Sequence, residues 1–267
     1  MMEAQERYVL WEMTWPELEA AMGEIRLVVI PVGSTEQHGP HATFATDSAR
    51  AYEFSVRLAE RMYPEVLVAP VMPFGVSPHH MAFPGTITLS AETFMQVLYE
   101  VVESLAEHGF ERFLFVNGHG GNRPALELLV QRLRRELDVL AAWVSITELA
   151  NDVVQRGKVA EVIGHACESE TSQLLYLAPW AVREEALAPG ELLEQAYPHA
   201  SWWGPVHVAY SFDEITANGA LGDARAASVE FGEQIVETAL NRLVEFVEAF
   251  IEEGEFEELE LEEEEEE

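Results

Sequence analysis

The chain has 267 residues, 48% of them hydrophobic and 10% aromatic, with a net charge of −33. That size and apolar content suit a globular domain with a real core, and so acidic a chain disfavours nucleic acid and anionic lipid, which are bound through basic patches. The absence of any run of about 18 apolar residues, the acidic start and the single cysteine, Cys167, argue against a membrane span, a signal peptide and an internal disulfide, and point to a cytoplasmic protein.

The first predicted element is a buried strand over 25–33, IRLVVIPVG, rich in β-branched residues and closed by glycine. It runs into GSTEQHGPHATFATD (33–47), where Glu36, His38, His41 and Asp47 fall within twelve positions. In extended backbone, residues i and i+2 share a side, so Glu36 and His38 can face one cavity. Asp47 opens a helix predicted over 47–63, where its other reading is a cap. VLVAPVMPFG (66–75) is the second predicted strand. His79 and His80 follow in a loop, lining a pocket or facing solvent. A helix over 90–109 runs from a serine cap to a glycine stop.

The third strand, RFLFVNGHG (112–120), places His119 on a glycine turn, which permits close approach of a ligand. The helix over 123–137 has a proline in its first turn and Leu126, Leu129 and Leu133 on one face. LAAWVSI (140–146) is the fourth strand. GHACESETS (164–172) puts His165, Glu168 and Glu170 at the opening of a helix over 168–177. A last helix is expected from near Asp223 to about Phe250. Strand–helix alternation predicts an α/β fold with helices on both faces of the sheet. Residues 1–250 read as one domain and 251–267 as a solvated tail; the tail holds 12 Glu, and without it the chain still carries −21.

In such sheets ligands gather at the C-terminal strand ends, where these polar clusters fall. Glu, Asp and His suit Zn, Mn or Fe. A carboxylate can bridge two ions about 3.5–4 Å apart, holding a hydroxide between them. His165 can then carry protons to a leaving nitrogen. His41 is expected behind the ligands, and Cys167 as a packed residue rather than a nucleophile. Trp202 and Trp203 either cover a pocket or mediate subunit contact.

The segments PVGSTEQHGPHATFATD, FPGTITLSAETF, VNGHGGN and GHACESETS together resemble the signature segments of the creatininase family of metal-dependent amidohydrolases, in order and spacing across residues 25–180. The resemblance implies a three-layer α/β/α sandwich with a mostly parallel sheet, two divalent transition-metal ions per chain and a homo-oligomer, often a hexamer. It implies Glu36, His38, Asp47 and His119 as metal ligands, with Asp47 bridging, and His165 as a catalytic histidine. One position departs. The creatinine-hydrolysing namesake has a glutamate ligand two places after the histidine of its NGH motif, where this chain has Gly121. Glu170 is the expected replacement; Glu168 is the second candidate and otherwise a catalytic carboxylate. The tryptophan preceding the namesake's catalytic histidine is also missing from KVAEVI (158–163). The expected activity is hydrolysis of a C–N bond in a small amide, cyclic amide or formamide. Alternatives are trimming of a short peptide, opening of a sugar ring, a non-catalytic metal- or ligand-binding relative, or a structural oligomer.

Overall fold

Along β1 (Leu27–Val32) the side chains of Val28, Ile30 and Val32 enter one apolar cluster and those of Leu27 and Val29 another, and all five are buried. This is the pattern of a strand covered on both faces. The computed structural model describes residues 8–194, 206 and 208–252. In it β1 pairs on one side with β2 (Val66–Val68) and on the other with β3 (Arg112–Asn117), which pairs in turn with β4 (Leu140–Ser145). The order is β2-β1-β3-β4 and every pair is parallel.

Helices cover both faces, as parallel crossovers require. On one side Phe113 and Phe115 of β3 pack with Phe94, Leu98 and Val102 of α3 (Ala91–Glu107) and Leu126, Leu129 and Leu133 of α4 (Arg123–Leu137). The short α1 (Trp15–Ala21) adds Leu18 at its margin. On the other side Leu114 and Val116 meet Phe54 and Leu58 of α2 (Thr46–Arg61) and Ile235, Leu240 and Leu243 of the C-terminal helix. The helices α5 (Ile146–Leu149), α6 (Asn151–Gly157) and α7 (Glu168–Leu177) complete that layer beside the C-terminal α8 (Val229–Glu252). The result is the expected α/β/α sandwich.

Three predicted boundaries move. The second strand stops at Val68 instead of reaching residue 75. Pro70 and Pro73 have no N–H for the ladder, and beyond Val68 the segment keeps isolated bridges, from Val32 to Met72 and from Gly75 to Thr88. The third strand ends at Asn117, and Gly120–Asn122 forms a separate 3₁₀ turn. The last helix begins at Val229, because Asp223 caps a different 3₁₀ turn, Ala224–Ala226, through a bond from the Arg225 amide. The helix is described as far as Glu252; the remainder of the acidic tail, and Trp202 and Trp203, lie outside the described residues.

A close approach at the strand ends positions the site. A β-carbon on Gly118 would lie 2.2 Å from the Asp47 carbonyl oxygen. Only glycine lets the end of β3 press directly on the first turn of α2, which carries Asp47.

Candidate metal centre and its pocket

Glu36, His38, Asp47, His119 and Glu170 come from four separate segments and converge. His38 Nε2 is 3.2 Å from Asp47 Oδ1 and 3.7 Å from Glu170 Oε2. His119 Nδ1 is 3.0 Å from Glu36 Oε1 and 3.4 Å from Asp47 Oδ2. Asp47 thus turns one oxygen to each histidine. His38, Asp47 and Glu170 have ligand atoms close enough to share one ion, as do Glu36, His38 and His165, and Glu36, His79 and His119.

The test of whether these residues fit a metal lies in their bonding. Glu36 Oε1, His38 Nε2 and both Asp47 carboxylate oxygens are buried without a hydrogen-bond partner. Burying polar atoms in that way is costly unless something else satisfies them. The opposite edge of each histidine, by contrast, is held. A carbonyl oxygen can only accept, so the facing ring nitrogen carries the hydrogen. His38 Nδ1–H donates to Glu36 O at 3.2 Å, His119 Nε2–H to Val76 O at 3.1 Å, and His165 Nε2–H to Gln37 O at 2.6 Å. The other ring nitrogens, His38 Nε2 and His119 Nδ1, therefore point into the cluster, where each can give up a proton and offer its lone pair, as in metal-ligating histidines anchored by a carbonyl behind the ring. The donor set, carboxylate and imidazole, fits a divalent transition metal.

The electrostatics agree. Burial opposes charge on His38, but the carboxylates of Asp47, Glu170 and Glu36 together outweigh it and lift the imidazole to about 9. Burial likewise opposes charge on His119, and Glu36 lifts it to about 9. Burial works to raise Glu36, yet His119 and its other histidine neighbours bring it well below the usual range. Burial pushes Asp47 up. Glu170, also pushed up by burial, is brought below its ordinary value chiefly by Arg50. Protons on two imidazoles thus offset the clustered carboxylates of the metal-free protein. His165 differs: burial takes it down to about 3, and it is neutral at pH 7. Burial also drives His80 far down.

Beside the cluster lies a cavity of about 440 Å³ whose wall includes His79, His80, His119, His165, Phe212 and Leu221. The two histidines of the 77–80 loop therefore line a pocket; His80 is 1% exposed. A second cavity of about 310 Å³ reaches Glu170 and Arg50, and Arg123 belongs to the walls of both.

Glu168 does not join the cluster. Its Oε1 accepts from the amides of Val159 and Ala160, each at 2.9 Å, and its Oε2 from the amide of Asp223 at 2.8 Å. At the first turn of α7, with both oxygens engaged, it clamps two loops together, which corrects its expected part as catalytic carboxylate or ligand. His41 stands behind the ligands, its Nε2–H donating to Ala166 O at 3.1 Å. Asp47 lies inside α2 and caps nothing. Gly121 leaves no room for a ligand side chain: a β-carbon there would lie 2.3 Å from Val76 O.

Four contributors escape a reading by residue type. Ser77 donates to Glu36 Oε2, fixing that carboxylate's orientation. Asn122 donates to Gly33 O and accepts from the Val76 amide, tying three loops together. Buried Arg50 bonds to Glu170, and to Gln173 Oε1 at 2.8 Å. Gln37 lies between His80 and His165. Of these Asn122 and Gln37 had a signal only through the segments that hold them, NGHGGN and GSTEQHGPHATFATD.

A family model described as creatininase, creatinine amidohydrolase, matches residues 11–247. The chain belongs to the creatininase family. A mycofactocin precursor peptide peptidase of Mycobacterium ulcerans (strain Agy99) is 33% identical over 231 residues, 83% of this chain and 80% of its own. A creatinine amidohydrolase of Pseudomonas putida is 28% identical over 257 residues, 88% of this chain and 94% of its own. A solved structure described as a manganese creatininase superposes with a TM-score of 0.76 and 27% identity, over 92% of this chain and 99% of that one. This creatininase-family hydrolase is thus similar in sequence to proteins whose named substrates differ, and in fold to solved creatininases.

Proposed function

We propose that this creatininase-family protein is a two-metal hydrolase that cleaves a C–N bond in a small amide, cyclic amide or formamide. The observation that carries the reading is the set of buried, unpartnered ligand atoms of Glu36, His38 and Asp47, facing inward while carbonyls hold the far edges of the histidines. Glu36 and His119 would hold one ion, His38 and Glu170 the other, and Asp47 both. Bound there, divalent Zn, Mn or Fe would supply a Lewis acid for a substrate carbonyl and acidify water.

The chain's own residues supply the rest. Neutral His165, with its hydrogen committed to Gln37 O, turns the Nδ1 lone pair toward Glu36 Oε1 at 3.8 Å. That atom can take a proton from the attacking water and return it to the leaving nitrogen. Phe212 packs 4.8 Å from the His165 ring, centroid to centroid, and forms an apolar wall against bulk water. Arg50 sets Glu170 in place.

A second reading, cleavage of a short peptide, draws on the 33% identity to the precursor peptide peptidase, above the 28% to the creatinine amidohydrolase. Metal analysis tests the common core: about two ions per chain are expected. Glu170→Gln is expected to lower metal affinity at least 10–100-fold, the scale of losing a supporting contact, and Asp47→Ala to abolish occupancy. A metal-free wild type of full stability would overturn the proposal. A screen of lactams, formamides and short peptides with each metal separates the two readings.

A further inference from the structure

Gln37 sits between two pocket histidines, and its bonding leaves little freedom. The Gly39 amide can only donate, and it lies 2.8 Å from Gln37 Oε1, which orients the side-chain amide. Gln37 Nε2 then has two hydrogens to place. One goes to Gly219 O at 3.1 Å, an atom that can only accept, and the other to His80 Nδ1 at 2.9 Å. His80 Nδ1 is thereby an acceptor, and its hydrogen must be on Nε2. The 3.2 Å approach of Gln37 Nε2 to His165 Nε2 is then a contact of two hydrogen-bearing atoms and carries no bond. The His165 hydrogen instead goes to the backbone carbonyl of Gln37 itself.

Both imidazoles are thus Nε2–H tautomers, but they present opposite edges to the same place. His80 shows Glu36 Oε1 its Nε2–H, at 3.4 Å; His165 shows it the Nδ1 lone pair, at 3.8 Å. The ring centroids are 4.5 Å apart, and both rings line the 440 Å³ cavity. We propose that Gln37 is a positioning residue that locks this pair, so that His80 Nε2–H is a hydrogen-bond donor at the reacting centre, opposite His165 as acceptor. The catalytic half of this inference rests on the hydrolase reading above; the tautomer half does not. In the hydrolysis His165 Nδ1 takes the proton of the attacking water as the C–O bond forms, and the leaving nitrogen receives it as the C–N bond breaks. His80 keeps its proton throughout and donates only a hydrogen bond to the substrate oxygen on which charge develops.

The test is long-range ¹H–¹⁵N NMR of the full chain labelled on histidine, with and without added zinc, which distinguishes Nδ1–H, Nε2–H and imidazolium forms. The wild type is expected to show Nε2–H at both His80 and His165. Nδ1–H or imidazolium at either, near pH 7, would overturn the lock and needs no variant. In Gln37→Glu the replaced group has no hydrogen to donate, so the His80 proton is expected to move to Nδ1; a His80 that stays Nε2–H would equally overturn it. Zinc content, read by mass spectrometry, is expected to stay as in wild type. On a compound turned over in the screen above, Gln37→Glu is expected to lower kcat about 10²-fold with KM near wild type. A moved tautomer with unchanged kcat would remove His80 from the chemistry while leaving the hydrolase reading intact.

Discussion

Replacing Gly118 by alanine tests the placement of Asp47 through one added carbon. Its β-carbon would lie 2.2 Å from Asp47 O, 2.9 Å from Asp47 C and 3.1 Å from Asp47 Cα. Ordinary contact begins near 3.4 Å, so the helix start must give by about 1.2 Å. The obstacle is backbone, so no rotamer change relieves it. Overpacking of this kind costs about 1–3 kcal/mol. The larger effect concerns the site. Asp47 faces His38 at 3.2 Å and His119 at 3.4 Å, whereas ligand distances in metal sites hold to within about 0.2 Å. A displacement several times that tolerance is expected to weaken metal binding at least 10–100-fold. Urea denaturation measures the first effect and calorimetric zinc titration the second. Gly120→Ala is the internal control: nothing lies within 4 Å of its added carbon, and wild-type behaviour is expected. A Gly118→Ala protein matching wild type in both assays would refute the claim that the close approach of β3 to α2 places Asp47.

Three further outcomes follow from the site's charges. His38 and His119, each lifted to about 9, carry protons at pH 7 that metal must displace. Zinc uptake is therefore expected to release about two protons, and apparent affinity to rise as pH climbs from 6 to 9. Titrations in buffers of different ionisation enthalpy measure the release; none at pH 7 would contradict these pKa directions. Arg50→Met leaves the partly buried Glu170 without its principal cation; breaking a fully buried pair costs about 3–5 kcal/mol, so a loss of stability below that ceiling is expected, and a denaturation midpoint equal to wild type would show that Glu170 does not depend on Arg50. Cys167 is 3% exposed and burial raises its thiol pKa. It is expected to resist thiol reagents in the native protein and react on unfolding, and fast native labelling would contradict its packing.

The core and the succession of strands and helices were legible in the sequence because both rest on local pattern. Apolar runs such as LVVIPV and RFLFVN can only be buried strands, and glycine, serine and proline mark where helices begin and stop. Glu36 and His38 shared a side by the two-residue period of extended chain alone. Boundaries failed where a single backbone group decided them, as at Pro70 and Asp223. What tertiary structure alone decided is which groups are left without a partner. Glu168 and Glu170 sit two residues apart on one helix turn, and no pattern distinguishes them. Folding brings three backbone amides to Glu168 and engages both its oxygens, while Glu170 receives Arg50 and Ala166 and still reaches His38. Gln37, Ser77 and Arg50 were unreadable for the same reason. Residue type states what a side chain can donate or accept, but its role depends on which atoms face it, and those arrive from segments up to 182 positions away, as Gly219 does at Gln37.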